Sequence, residues 1–117
     1  MYSIGPFIPH SDTPLAEAKK TGLQSALKAL AVLRLLDPEA KILETTALET
    51  LDSENNGKSG LLSGANSLMI NITPMRFKIH YNLYQDKAGV NDELKDSIDK
   101  TIKLLYSIGR APTDLGR

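Results

Sequence analysis

Seven side chains in this sequence have a type and a position suited to chemistry: His10, Thr45, Thr46, Asn71, Thr73, Tyr81 and Tyr84. His10 stands in the run Gly5-Pro6-Phe7-Ile8-Pro9-His10-Ser11-Asp12-Thr13-Pro14-Leu15, where three prolines fix φ and remove backbone donors. A neutral imidazole there can hydrogen-bond a ligand, or it can cap backbone groups that the prolines leave unpaired. Thr45 and Thr46 are adjacent, so on a strand their hydroxyls face opposite sides of the sheet. Threonine is also an ordinary strand residue. Asn71 and Thr73 lie two apart just before Pro74 and therefore share one face of a strand. Buried without partners they would cost roughly 1–3 kcal/mol each, so they should meet a ligand, water or a loop backbone. A loop-capping asparagine is the rival explanation. Tyr81 and Tyr84, three apart, fall on one side of a helix, where their rings can stack on a flat ligand while the hydroxyls seek partners. Core packing is the plainer role for Tyr84.

Several chemistries are excluded or weakened by composition. The sequence has no cysteine, which removes disulfides, thiolate zinc sites, cysteine nucleophiles and thiolate-held iron-sulfur clusters. Its two histidines, His10 and His80, are far apart and neither has a second ligand at helical spacing, so a metal site is not expected. Fourteen basic and fourteen acidic side chains cancel, giving no summed field to steer the chain to nucleic acid or an anionic membrane. Arg76, Lys78 and His80 read as a solvated face. No apolar run approaches the roughly 18 residues of a membrane span, and the N-terminus lacks the flanks of a signal peptide, so the expectation is a cytoplasmic protein.

The elements that must position these residues follow from periodicity. Tyr2-Ser3-Ile4 reads as a strand end opening into the proline-rich loop. From a start near Thr21, apolar residues at Leu23, Ala26, Leu27, Leu30, Leu33 and Leu36 or its neighbours form a helical stripe that ends at Asp37 and Pro38. Residues 40–47 suggest a second strand whose C-terminal end is Thr45 and Thr46. Residues 52–57 read as a solvated loop, and Ser59 to Gly64 as a short helix. Residues 65–73 predict a third strand, apolar on both faces until Asn71, as in a parallel sheet covered by helices. A last helix begins at an Asn91 N-cap with Asp92 and Glu93 in its first turn. It should bury Leu94, Ile98, Ile102 and Leu105, and stop at Gly109 before Pro112. The order is that of consecutive β-α-β units in a single segment, 1–117, at 41% hydrophobic content enough for one core.

The chain resembles the C-terminal part of radical S-adenosylmethionine (radical SAM) enzymes, most nearly the maturase branch that helps build the active-site cluster of iron-only hydrogenase, with biotin synthase a more distant relative. The matching segments are Ile4 to Leu15, Thr45 to Leu48, Ser63 to Asn66, Leu68 to Pro74, Tyr81 to Tyr84, Gly109 to Pro112 and Asp114 to Arg117. The resemblance implies an α/β fold, the C-terminal portion of a TIM-type barrel, with about three parallel strands and outer helices. It also implies that the seven residues named above line an S-adenosylmethionine and substrate chamber, with the threonine pair near an anion-accepting part and the tyrosines close to the cofactor. Two departures weaken that transfer: the acidic loop between Thr46 and Ser63 replaces a tighter turn, and Ile72 replaces an aromatic residue.

Family members use S-adenosylmethionine with a 4Fe-4S cluster on a three-cysteine loop. With no cysteine, this chain alone is expected to hold neither the cluster nor its chemistry. The expected role is thus one wall of the chamber, inactive alone, partnered by the N-terminal half of the barrel or by self-association through unpaired sheet edges. A small-molecule ligand is compatible with this; nucleic acid and membrane partners are not expected. The alternatives are a non-catalytic α/β module for a small anionic or nucleotide-like ligand, and a structural remnant with no ligand.

Overall fold

Parallel ribbons at the centre of the chain are brief because side chains take over much of the hydrogen bonding that longer strands would do. The computed structural model describes residues 1–78, 80, 81, 87 and 93–113. The readings on Tyr84, Asn91, Asp92 and 114–117 lie outside them. In order come β1 (Tyr2–Ser3), α1 (Leu23–Leu36), β2 (Ile42–Leu43), α2 (Thr46–Leu51), a 3-10 turn at Ser53–Asn55, α3 (Lys58–Leu62), α4 (Met75–Lys78) and α5 (Leu94–Ser107). β1 pairs with β2 in parallel, Tyr2 opposite Ile42 and Ser3 opposite Leu43, and Leu43 in turn bridges Ser67, again in parallel. Three co-directional ribbons therefore lie side by side with helices between them, a small parallel α/β arrangement.

The helical stripe of α1 meets the face of β2 that carries Ala40 and Ile42. Ala26, Leu30, Ala40, Ile42 and Leu48 form the buried cluster, with Ile4, Leu23, Leu27 and Leu33 packed around it. Leu30, Ile42, Leu48 and Leu61 are the largest fully buried side chains, each contributing about 1.5–3 kcal/mol by leaving water. Leu36, expected in the stripe, is exposed, because α1 stops there: the Asp37 N–H returns to the Leu33 carbonyl, and the Arg34 guanidinium ties down the Pro38 and Gly64 carbonyls at 2.7 and 3.0 Å.

The second strand is shorter than predicted. Thr45 adopts an extended N-cap conformation and its hydroxyl accepts the Leu48 N–H at 3.3 Å, so Thr46 opens a helix instead of ending a strand. Threonine offers the backbone this local alternative to the ladder. Among the described residues the third strand reduces to the single bridge at Ser67, and Met69 is exposed where burial on both faces was expected. The side chain of Asn66 explains the loss: its Oδ1 accepts the Ile42 N–H at 2.8 Å and its Nδ2 donates to the Ala40 carbonyl at 3.1 Å, doing what strand backbone would do.

The acidic stretch 52–57 is not a plain loop. Asp52 is buried; its Oδ1 accepts Asn55 Nδ2 at 2.9 Å and its Oδ2 accepts the Ser59 N–H at 3.0 Å, so one carboxylate binds the 3-10 turn to α3. Lys78, expected on a solvated face, is buried, its long stem turned inward, whereas Arg76 stays exposed with its guanidinium 4.7 Å from the Phe77 ring centroid. α5 has Glu93 as its N-cap and fully buries none of its residues: of the expected core stripe, Leu94 and Ile98 are exposed and Ile102 and Leu105 half-buried. Its C-terminus does follow the predicted stop: Gly109 takes φ 70°, its N–H reaches the Tyr106 carbonyl at 3.0 Å, and the Arg110 N–H reaches Leu105 at 2.9 Å, the Schellman pattern that satisfies orphan carbonyls.

Candidate functional site

Just beyond the C-terminal ends of β2 and the Ser67 ribbon lies a cavity of about 320 Å³ lined by Thr46, Met69, Ile70, Asn71, Ile72, Thr73, Tyr81 and Lys87. Its size is at the lower end of small-molecule pockets, which run from about 300 to 1,000 Å³. In parallel α/β folds this side of the sheet carries the sites, since loops leave the strands there. Thr46 reaches the cavity from the first turn of α2, Asn71 and Thr73 from the extended segment after Ser67, and Tyr81 and Lys87 from the segment after α4.

Four of the residues singled out in the sequence are thus brought together, and two described ones are not. Thr45, the neighbour of Thr46, turns to Gly5: a Cβ on that glycine would sit 2.6 Å from the Thr45 Oγ1. His10 is engaged within its own loop, where Nδ1 accepts the Asp12 N–H at 3.1 Å and its carbonyl accepts the Thr13 hydroxyl at 2.9 Å. That is the backbone-capping use of the imidazole. Asn71 and Thr73 are joined by an Asx turn, the Thr73 N–H donating to Asn71 Oδ1 at 3.0 Å. Asn71 therefore shapes the loop while it borders the cavity.

Lys87 supplies the wall with a cation, and its ammonium also lies 3.5 Å from the Tyr81 carbonyl. Among the described residues no carboxylate lines the same cavity, so the electrostatic preference of that lining is for an anionic or carbonyl-bearing ligand, with Met69, Ile70 and Ile72 offering apolar contact. Lys87 sits in a polar stretch without periodicity and nothing in the sequence singles it out. The three apolar wall residues could have been found, because a run of Met69, Ile70 and Ile72 broken by asparagine and stopped by Pro74 is a poor buried strand. Among the described residues no group of three or more His, Asp or Glu side chains is placed to hold a metal ion, and no helix is long and apolar enough to cross a membrane.

One titratable group near the cavity has an environment the sequence reading passed over. Glu44, two residues before Thr46, is buried, and its Oε1 has no hydrogen-bond partner among the described residues. Burial first, then the negative charges of Glu49 and Asp52, push its carboxyl up from the usual 4.5 to about 8. Strand alternation held the signal, since Ala40, Ile42 and Glu44 share one face and the first two are core.

Comparison with known proteins bears on the whole of this arrangement. Residues 3–111 match the family described as the Biotin and Thiamin Synthesis associated domain. The chain is also 39% identical over 112 residues to the FeFe hydrogenase maturase subunit HydE of Thermotoga maritima, an alignment that takes in 96% of this chain and 32% of that protein. The chain thus spans about a third of the length of the curated relative it matches.

Proposed function

The chain belongs to the Biotin and Thiamin Synthesis associated domain family, and from that membership we propose that it forms the C-terminal wall of an S-adenosylmethionine and substrate chamber in a radical SAM, maturase-like protein. The observation that carries this reading is the convergence of Thr46, Asn71, Thr73 and Tyr81 on one cavity beyond the C-terminal ends of adjacent parallel ribbons. The chain's donor set does not fit the family's 4Fe-4S cluster, because it contains no cysteine. The cluster and the redox step would belong to other polypeptide, and this chain would contribute shape, hydrogen bonds and charge.

The surface supports a missing partner. The chain exposes 8225 Å², whereas a compact monomer of this mass would expose about 6,300 Å². The excess, about 1,900 Å², exceeds the roughly 800 Å² that each partner buries in an ordinary protein interface. A barrel half carrying the three-cysteine loop would cover it, and so would a second copy of this chain through the open sheet edges.

A rival reading, a self-sufficient module for a small anion, draws on Lys87 in the cavity wall. Calorimetric titration with S-adenosylmethionine and with inorganic phosphate separates the two. Heat of binding that requires added cysteine-bearing polypeptide supports the chamber wall. Comparable binding by the chain alone refutes it in favour of the module.

A further inference from the structure

Beneath the turn from β2 into α2 lies a side chain that the chamber reading leaves without a task. Glu44 is 5% exposed, and its Oε1 meets no donor among the described residues. The corner is shaped around it. A Cβ on Gly57 would stand 2.8 Å from the Glu44 Oε1, and one on Gly60 would stand 2.8 Å from its Cγ. Gly57 also has φ 76°, the left-handed conformation from which α3 begins. Two glycines thus let α3 close over the carboxyl, and Leu48 of α2 is packed against the same face of Gly60 as the Glu44 side chain.

Such a place suits a carboxylic acid better than a carboxylate, because an ionised group with a buried oxygen that meets no donor among the described residues loses hydration there uncompensated. The charges acting on it have the same sign: Glu49 comes from α2 and Asp52 from the end of that helix. Asp52 is already committed to Asn55 and to the Ser59 N–H. The third ribbon meets the Glu44 backbone, where the Ser67 carbonyl accepts the Glu44 N–H at 2.9 Å. Lys58 is the ionisable residue of α3, and it is not among the groups that shift Glu44.

We infer that Glu44 is a proton-operated latch on the β2–α2–α3 corner: its neutral carboxyl is stowed under α3, and ionisation drives it out, loosening α2 and with it Thr46 at the cavity edge. The sign follows from linkage. The folded chain holds this proton more tightly than the unfolded chain does, so stability from the neutral form is fully present below pH 4.5 and declines as pH rises towards about 8. The change is local first, since the glycines that close over Glu44 lie at the start and middle of α3 and the charges acting on it lie on α2 and at its end.

Amide hydrogen exchange on the full chain from pH 5 to 9 tests this. Protection factors within residues 46–62 should fall by up to about tenfold per pH unit as pH rises towards about 8, the limit set by one proton, and level off above it. Those of α1 should fall less. In the Glu44→Gln variant the slope should vanish. A pH-independent wild type, or a variant that keeps the slope, overturns the latch. Should that variant fail to fold, the carbon-13 titration of the wild-type Glu44 carboxyl decides alone: a midpoint near 8 sustains the proposal, and one near 4.5 overturns it.

Discussion

Replacing Asn66 by alanine should do more damage than its exposed position suggests. On one edge β2 is served by β1, where the Tyr2 N–H reaches the Lys41 carbonyl at 2.7 Å. On the other edge the Asn66 carboxamide accepts from Ile42 at 2.8 Å and donates to Ala40 at 3.1 Å. Ile42 and Ala40 are 0% and 9% exposed, so truncation strands a donor and an acceptor inside the core cluster. Each such group costs about 1–3 kcal/mol when unpaired. Since Asn66 itself reaches solvent, the vacated space admits water to one of them, and the expected loss is about 2–3 kcal/mol. A chain of this length has a stability on the order of 10 kcal/mol. With a urea slope of about 1–3 kcal/mol per molar, the midpoint should drop by roughly 1–2 M. The assay is equilibrium urea unfolding followed by circular dichroism at one fixed chain concentration, because association would otherwise shift the midpoint. Asn66→Asp provides the second arm. It keeps the acceptor and the shape but sets an oxygen against the Ala40 carbonyl, so it should also lose stability. An alanine variant within about 0.5 kcal/mol of wild type, the ordinary range for surface changes, or an aspartate variant as stable as wild type, would refute the bridging role.

Leu30→Ala removes the fully buried centre of the α1 stripe and should cost about 2–5 kcal/mol in the same urea assay. Thr45→Ala removes the hydroxyl cap from the Leu48 N–H and should cost about 1 kcal/mol, read as a lower thermal midpoint; because Thr45 does not border the cavity, ligand titration of that variant should match wild type.

The sequence made α1 legible because its stripe is long, and the packed face at Ala26 and Leu30 is where the period puts it. The strands were legible in order and direction but not in extent. A β-branched run cannot reveal that Thr45 will cap a helix, nor that Asn66 will replace backbone with carboxamide. At the cavity, alternation separated Thr46 from Thr45, and the structure does so too, though through a helix start and not through a continued strand. Asn71 and Thr73 were paired by spacing, yet their link is a turn. Lys87 and Glu44 depend on what the fold brings near them, and only the Glu44 position left a trace, as an acid in phase with two core residues.

α1 and α5 isolate what local sequence can and cannot do. Both run for 14 residues, but α1 buries Ala26 and Leu30, whereas α5 buries none of its residues and leaves Leu94 and Ile98 at 45% and 37% exposure. α5 nevertheless has acidic Asp96 in its first turn and the complete Gly109 stop at its end. Its boundaries are thus written locally, and its apolar stripe is written for a surface elsewhere. Helices of this length are marginal in water without such a surface. The Arg110 guanidinium, donating to the Ala65 carbonyl at 3.1 Å, ties the C-terminal end of α5 to the ribbon side of the chain, but a polar tether of that kind contributes only about 0.5–3 kcal/mol. The stripe is therefore a second feature that fits the proposed cover by other polypeptide, beside the excess surface, and it arises from a part of the chain that does not line the cavity.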